Sequence, residues 1–113
     1  MHELSITQSI LSIALEHAEA AQATKITKIN IVIGELSGIV DECVEFYFEF
    51  LGKDTIAAGA TLSFDRPSTR LRCRNCNTTF SPDNLKWTCP GCGEQSIEIV
   101  SGRECQISSI EVD

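Results

Sequence analysis

The stretch Cys73-Arg74-Asn75-Cys76, followed after a twelve-residue gap by Cys89-Pro90-Gly91-Cys92, decides how this chain is read. A two-residue gap lets both sulfurs of a pair turn toward one point. Two such turns facing each other place four thiolates at the corners of a tetrahedron, which Zn²⁺ accepts readily. The C-x₂-C-x₁₂-C-x₂-C pattern is a zinc-ribbon spacing, slightly shorter than the usual range. Two unrelated pairs, or two disulfides, are the alternatives. Four protein ligands close the coordination sphere and leave no water to activate. Cys73, Cys76, Cys89 and Cys92 are therefore expected to hold structural zinc, and no catalytic residues are expected.

The chain has 113 residues, enough for one domain or for a small domain plus a metal-stapled one. Hydrophobic content is 42% and charged content 22%, which excludes a disordered chain by composition. No apolar run reaches bilayer length, and Met1-His2-Glu3-Leu4 lacks the basic start and apolar core of a signal peptide. A cytoplasmic protein with no membrane association is expected, where reduced thiols favour metal over disulfides. The net charge of −7 is unevenly spread. Residues 1–65 are strongly acidic, while residues 66–93 carry Arg66, Arg70, Arg72, Arg74 and Lys86 against Asp83 alone. The result is a mildly basic ribbon on an acidic body.

The fold class read from the pattern is α+β, with two helices, a small sheet and an inserted zinc ribbon of short strands. Thr7 to Ala23 places Ile10, Ile13, Ala14, His17, Ala18 and Ala21 on one helical stripe, with Ser5 or Thr7 as cap. Leu4 and Ile6 suit a short strand before it. Lys25 to Gly34 reads as a strand through the alternation of Ile29, Ile31 and Ile33. Val40 to Leu51 reads as a second helix, because Glu42, Glu45 and Glu49 recur at helical spacing opposite Val40, Cys43, Val44, Tyr47 and Leu51. Gly52 ends it, and Cys43 is expected to be a small core hydrophobe.

Ala60 to Arg66 alternates as a strand that Pro67 stops. The ribbon's large apolar groups are Leu71, Phe80, Leu85 and Trp87, too few to offset chain entropy without metal. Arg70, Arg72 and Arg74 alternate along one strand face, read either as a solvated, charge-protected edge or as a docking face for an acidic partner. Ile97 to Val100 and Glu104 to Val112 read as strands of the acidic body, the second with a bulge at Ser108-Ser109, where its phase slips. The expected units are a body of residues 1–68 plus 94–113 and a ribbon of residues 69–93.

The other end of the chain offers a second site. A histidine in second position can chelate with three consecutive nitrogens: the Met1 amine, the His2 amide and the His2 imidazole. Three nitrogens in a plane suit Ni²⁺ or Cu²⁺, and Glu3 or Asp41 could add oxygen. On the residues alone, a solvated terminus is the plainer reading.

Met1-His2-Glu3-Leu4-Ser5, an amphipathic helix, Ile33-Gly34-Glu35-Leu36-Ser37 and the double CxxC together resemble the HypA/HybF family of hydrogenase maturation nickel metallochaperones. The resemblance runs over essentially the whole chain. It implies a mixed sheet with two helices, interrupted by the ribbon and completed by the C-terminal strand. It also implies nickel at Met1, His2 and Glu3, with Asp41 as a further ligand, and zinc at the four cysteines. The implied function is delivery of Ni²⁺ to the large-subunit precursor of a [NiFe] hydrogenase together with a GTPase of the same maturation pathway. A homodimer is left open.

The alternative is a zinc-ribbon nucleic-acid or protein-interaction module. The acidic body argues against nucleic acid, since phosphate binding needs summed positive charge. A thiol oxidoreductase at Cys89-Pro90-Gly91-Cys92 is argued against by the matching upstream pair. A catalytic metal enzyme is argued against by the lack of HExxH and of any histidine beside the cysteines.

Overall fold

Isoleucines at positions 26, 29, 31 and 33 make one strand the axis of the molecule. All four are fully buried, each burial stabilising by about 2 kcal/mol. The computed structural model describes residues 3–82 and 87–113. Leu85, Lys86 and Asp83 lie outside the described residues.

The elements run α1 (Glu3–Ala20), β1 (Ile26–Ile33), α2 (Asp41–Leu51), β2 (Thr61–Asp65), β3 (Arg70–Cys73), β4 (Thr79–Phe80), β5 (Ile97–Ser101) and β6 (Cys105–Val112). They build two three-stranded sheets, β2-β1-β6 and β4-β3-β5. In the first, β1 pairs parallel with β2 and antiparallel with β6, so the sheet is mixed. The parallel pair is joined through α2, the helical crossover that parallel strands require. Ile10, Ala14 and Ala18 of α1 and Val44 and Phe48 of α2 share one core with the isoleucines. The small alanines let α1 lie close. The other sheet face is polar, with Asn30 Nδ2 donating to Ser109 Oγ at 2.9 Å and Lys28 Nζ 3.9 Å from Glu111. The α+β class with two helices and an inserted ribbon is the fold observed.

Several sequence expectations change in detail. α1 begins at Glu3, so Leu4 and Ile6 are helical and Ser5 and Thr7 lie inside the first turns rather than capping them. Its buried line is Thr7, Ile10, Ala14 and Ala18, whereas Ile13 and His17 face solvent. On α2 the seated residues are Val44 and Phe48, spaced one turn apart. Cys43 is exposed, not a core residue, because that pair turns its side of the helix outward. The bulge foreseen at Ser108-Ser109 is present: β6 slips register against β1 between Ser109 and Ile107.

The largest correction concerns residues 97–101. They do not join the body's sheet. β5 pairs antiparallel with β3, with Leu71 opposite Ile99 and Cys73 opposite Ile97. The apolar side chains of β5 complete the ribbon's own small sheet, which makes β3 its central strand rather than an edge.

Body and ribbon meet where three segments cross. Gly34 N donates to Glu104 O (2.7 Å), Glu35 N to Pro67 O (3.1 Å) and Leu36 N to Gly102 O (2.6 Å). A Cβ on Gly34 would lie 2.2 Å from the carbonyl carbon of Gly102, itself at φ +119°. Gly38, at φ +75°, faces open space instead. Gly34→Ala is therefore expected to destabilise by about 3 kcal/mol or more, by forcing the two segments apart. Gly38→Ala should cost about 1 kcal/mol, from backbone strain alone. Thermal or denaturant unfolding of both variants checks the ranking.

Candidate metal centre

β3 ends on Cys73, and the chain turns back at once. Asn77 N donates to Cys73 O (2.8 Å) and Cys73 N to Thr78 O (2.9 Å). The second knuckle repeats this closure, with Gly93 N donating to Cys89 O and Cys89 N to Glu94 O, both at 2.9 Å. The residue after each second cysteine adopts positive φ, Asn77 at 63° and Gly93 at 76°. Asparagine and glycine are the residues that tolerate that conformation. In each knuckle the amide two residues on faces the first sulfur: Asn75 N to Cys73 Sγ at 3.4 Å and Gly91 N to Cys89 Sγ at 3.3 Å.

The four sulfurs lie within 4.8 Å of one another, with Cys73–Cys92 and Cys76–Cys89 both at 3.5 Å. A tetrahedral zinc with Zn–S near 2.3 Å needs edges of about 3.8 Å, so the cage fits that ion. Cys73 and Cys89 are buried while Cys76 and Cys92 face outward. The Thr78 hydroxyl, 3.1 Å from Cys76 Sγ, and the Thr78 backbone amide pull the Cys76 thiol down to about 6. The Glu94 backbone amide and the Asn75 side chain lower Cys92 as well. The Cys76 backbone amide lowers Cys73, but burial and the neighbouring thiols of Cys92 and Cys76 outweigh it and leave that thiol at about 11. The outer pair is thus prepared to ionise, and N–H···S bonds offset part of the negative charge that four thiolates place on the ion.

Each arginine of the row beside the knuckle has a partner. Arg72 and Arg74 both pair with Glu98 of β5, Arg74 at 3.6 Å, and Arg70 donates to Ser81 Oγ at 3.3 Å. Arg66, grouped with the ribbon on sequence, pairs with Asp41 of the body. The basic stripe that favoured nucleic acid is therefore partly neutralised, one carboxylate standing against Arg72 and Arg74 while the Ser81 partner of Arg70 carries no charge.

Of the nickel candidates, Met1 and His2 lie outside the described residues. Glu3 is 8% exposed and its Oε2 accepts the Val40 amide at 3.3 Å. One carboxylate thereby sits in the first turn of α1 and at the N-cap of α2, and both helix dipoles favour an anion there. Val40 precedes Asp41, so folding places Glu3 one residue from Asp41 along the chain. Asp41 Oδ1 is held at 2.5 Å by Arg66 Nη1, whose other nitrogen donates to Ile39 O at 3.2 Å. Sequence reading missed Arg66, Glu98 and Thr78. Thr78 had a local signal, a hydroxyl two residues after a metal-ligating cysteine. The two ion pairs had none, because their partners come from distant segments.

A family profile described as "Hydrogenase/urease nickel incorporation, metallochaperone, hypA" matches residues 1–112. The chain belongs to the HypA family. A HypA hydrogenase maturation factor of Dehalococcoides mccartyi (strain CBDB1) is 45% identical over 113 residues, covering 100% of this chain and 95% of that protein. One from Caldanaerobacter subterraneus subsp. tengcongensis is 43% identical over 114 residues, covering all of both chains. Among solved structures, the solution structure of a HypA protein superposes with a TM-score of 0.80 at 29% identity, covering 99% of this chain and 96% of that one. The HypA nickel metallochaperone of Helicobacter pylori gives 0.71 at 28%, covering 99% and 97%. HypA proteins bind nickel and are maturation factors rather than a class of catalytic enzymes. The four-cysteine cage fits structural zinc within that family. Among the described residues no helix is long and apolar enough to cross a membrane.

The hydroxyl of Thr78 gives this centre a test of its own. Thr78→Val is expected to weaken zinc binding about tenfold, the size of effect seen when a hydrogen bond to a ligand is lost. With the hydroxyl gone and only the Thr78 backbone amide and neighbouring thiols still lowering Cys76, protons compete for it at higher pH, so the variant should release zinc at a higher pH than the parent during acid titration. Competition with a zinc-binding dye at several pH values measures both.

Proposed function

We propose that this HypA-family chain carries Ni²⁺ at its amino-terminal end, through the Met1 amine and the amide and imidazole nitrogens of His2, with Glu3 or Asp41 supplying an oxygen as the fourth donor. The observation that carries this reading is the Glu3–Val40 hydrogen bond at 3.3 Å. It fixes the third residue of the chain against Val40, the residue before Asp41, so Glu3 and Asp41 are brought to the same end of α2. A planar three-nitrogen chelate suits a d⁸ ion. A site made largely from terminal residues is also easily handed over, which a delivery protein needs.

In this proposal the cargo goes to the large-subunit precursor of a [NiFe] hydrogenase, with a partner GTPase of the maturation pathway, and the chain performs no catalysis itself. The cytoplasm is the proposed compartment, since four metal-binding thiols need reducing surroundings. The working units are a nickel-binding body, expected at residues 1–68 plus 94–113, and a zinc ribbon, expected at residues 69–93. Because β5 belongs to the ribbon's sheet, the proposed ribbon extends through Ser101.

Protein with a free Met1 amine should bind Ni²⁺ with a square-planar absorption. His2→Ala, or residues added before Met1, should remove that signal while zinc content and helical circular dichroism stay unchanged. Protons compete for the imidazole, so affinity should fall as pH drops below about 6.5. The same affinity at pH 5.5 and 8 would sink the chelate. Arg66 and the metal compete for one carboxylate. Arg66→Gln is expected to raise nickel affinity up to about fivefold, the scale of a partly exposed ion pair, and Asp41→Asn should cancel the gain. Titration calorimetry showing no change in Arg66→Gln would remove Asp41 from the ligand set.

A further inference from the structure

Among the described residues, the outer face of α2 carries the most exposed large apolar groups. Phe46 is 69% exposed and Phe50 76%, and Cys43 stands exposed one turn before them. At i, i+3 and i+7 the three form one stripe, turned away from the Val44 and Phe48 side that seats the helix. Phe46 touches Tyr47 edge-on, with ring centroids 5.5 Å apart, which leaves most of the stripe uncovered.

A line of exposed acids, Glu42, Glu45 and Glu49, runs beside it. None of them forms an ion pair among the described residues. Like charges at these spacings repel. Glu49 also lies in the last turn, where the helix dipole disfavours an anion and no basic residue compensates. Glu45 and Glu49 line an open groove of about 380 Å³ between α2 and the small residues Ala58, Gly59 and Ala60. The helix thus presents exposed aromatic area next to uncompensated negative charge, and both are unfavourable in the isolated chain.

These two features choose the occupant. A second copy would set the three acids against the same three acids. An anionic lipid surface or a nucleic acid would be repelled by them. A polypeptide segment with apolar side chains flanked by lysine or arginine relieves both conditions, laying its apolar side on Phe46 and Phe50 and its cations over Glu45 and Glu49. We propose that the outer face of α2 is the docking surface for such a basic amphipathic segment of a partner protein. Aromatic anchors beside a charged rim are the usual anatomy of an interface that binds through a few residues. The surface works independently of where nickel sits, since none of these residues is a ligand candidate.

The test titrates the zinc-loaded full chain with two synthetic amphipathic helical peptides of equal length, one of leucine and lysine, one of leucine and glutamate, at physiological salt. Binding is followed by backbone amide shifts. The lysine peptide should bind and move amides of α2 and residues 58–62. Phe46→Ser and Phe50→Ser should each weaken it about tenfold. Glu45→Lys combined with Glu49→Lys should abolish it and admit the glutamate peptide instead. Zinc content and circular dichroism verify that the variants are folded. Equal binding of both peptides, shifts centred elsewhere, or unchanged affinity in the variants overturns the proposal. So does a dimer of the free chain in sedimentation that Phe46→Ser dissociates, because the face would then belong to a second copy.

Discussion

Everything in the smaller unit depends on four sulfurs meeting around one point. Among the described residues its buried apolar content is little more than Leu71 and the two inner cysteines, Cys73 and Cys89. A cluster that size cannot compensate the entropy of ordering three strands. The ion therefore supplies what a core supplies elsewhere, and ligand geometry replaces side-chain packing as the source of order. The symmetry of the two knuckles follows from the same demand. Each must present one buried and one outward thiol, each aims an amide at its first sulfur, and each needs a residue tolerant of positive φ to turn the chain away.

The larger unit is ordered by conventional means, a sheet covered by two helices on one face. What joins the two units is a crossing of backbones rather than a packed interface. Gly34 and Gly102 are in contact without side chains, and Thr69 is buried beside them with its hydroxyl unpaired. From this crossing a short path of polar contacts leads to the amino-terminal end: Arg66 precedes Pro67, holds Asp41 and Ile39, and the adjoining Val40 amide holds Glu3. The segment that leaves the body for the ribbon is thus anchored to the loop that faces the chain's beginning.

The metal cage was legible because its chemistry is local. Spacing of two within each pair sets the turn, and residue type sets the ion. The central strand and both helices were legible because isoleucine alternation and acid periodicity survive in a short window. Helix faces were harder. Cys43 and Phe46 differ little from Val44 and Phe48 in hydrophobicity, and which pair turns inward depends on where the helix is seated. The placement of β5 was illegible for a related reason: a short run such as Ile97–Val100 can complete any sheet, and register with Leu71 decides which. Arg66 and Glu98 were missed because an ion pair between residues more than twenty positions apart leaves no local trace. The family resemblance carried what spacing could not, above all the proposed role for His2.

The paired strands at the base of the ribbon have a consequence for how the body is assembled. β6 must dock beside β1 to complete the larger sheet, yet it is separated from β2 by the whole excursion of residues 66–104. Once the ribbon has formed, Arg70 lies opposite Ser101 and the two ends of that excursion are already together. The chain left to close shrinks to residues 66–69 and 102–104, which lowers the entropy of closure by ~1.5 kcal/mol. The ion in the distal unit therefore acts as a clasp for the proximal one, shortening the search of the last strand for its place without touching it.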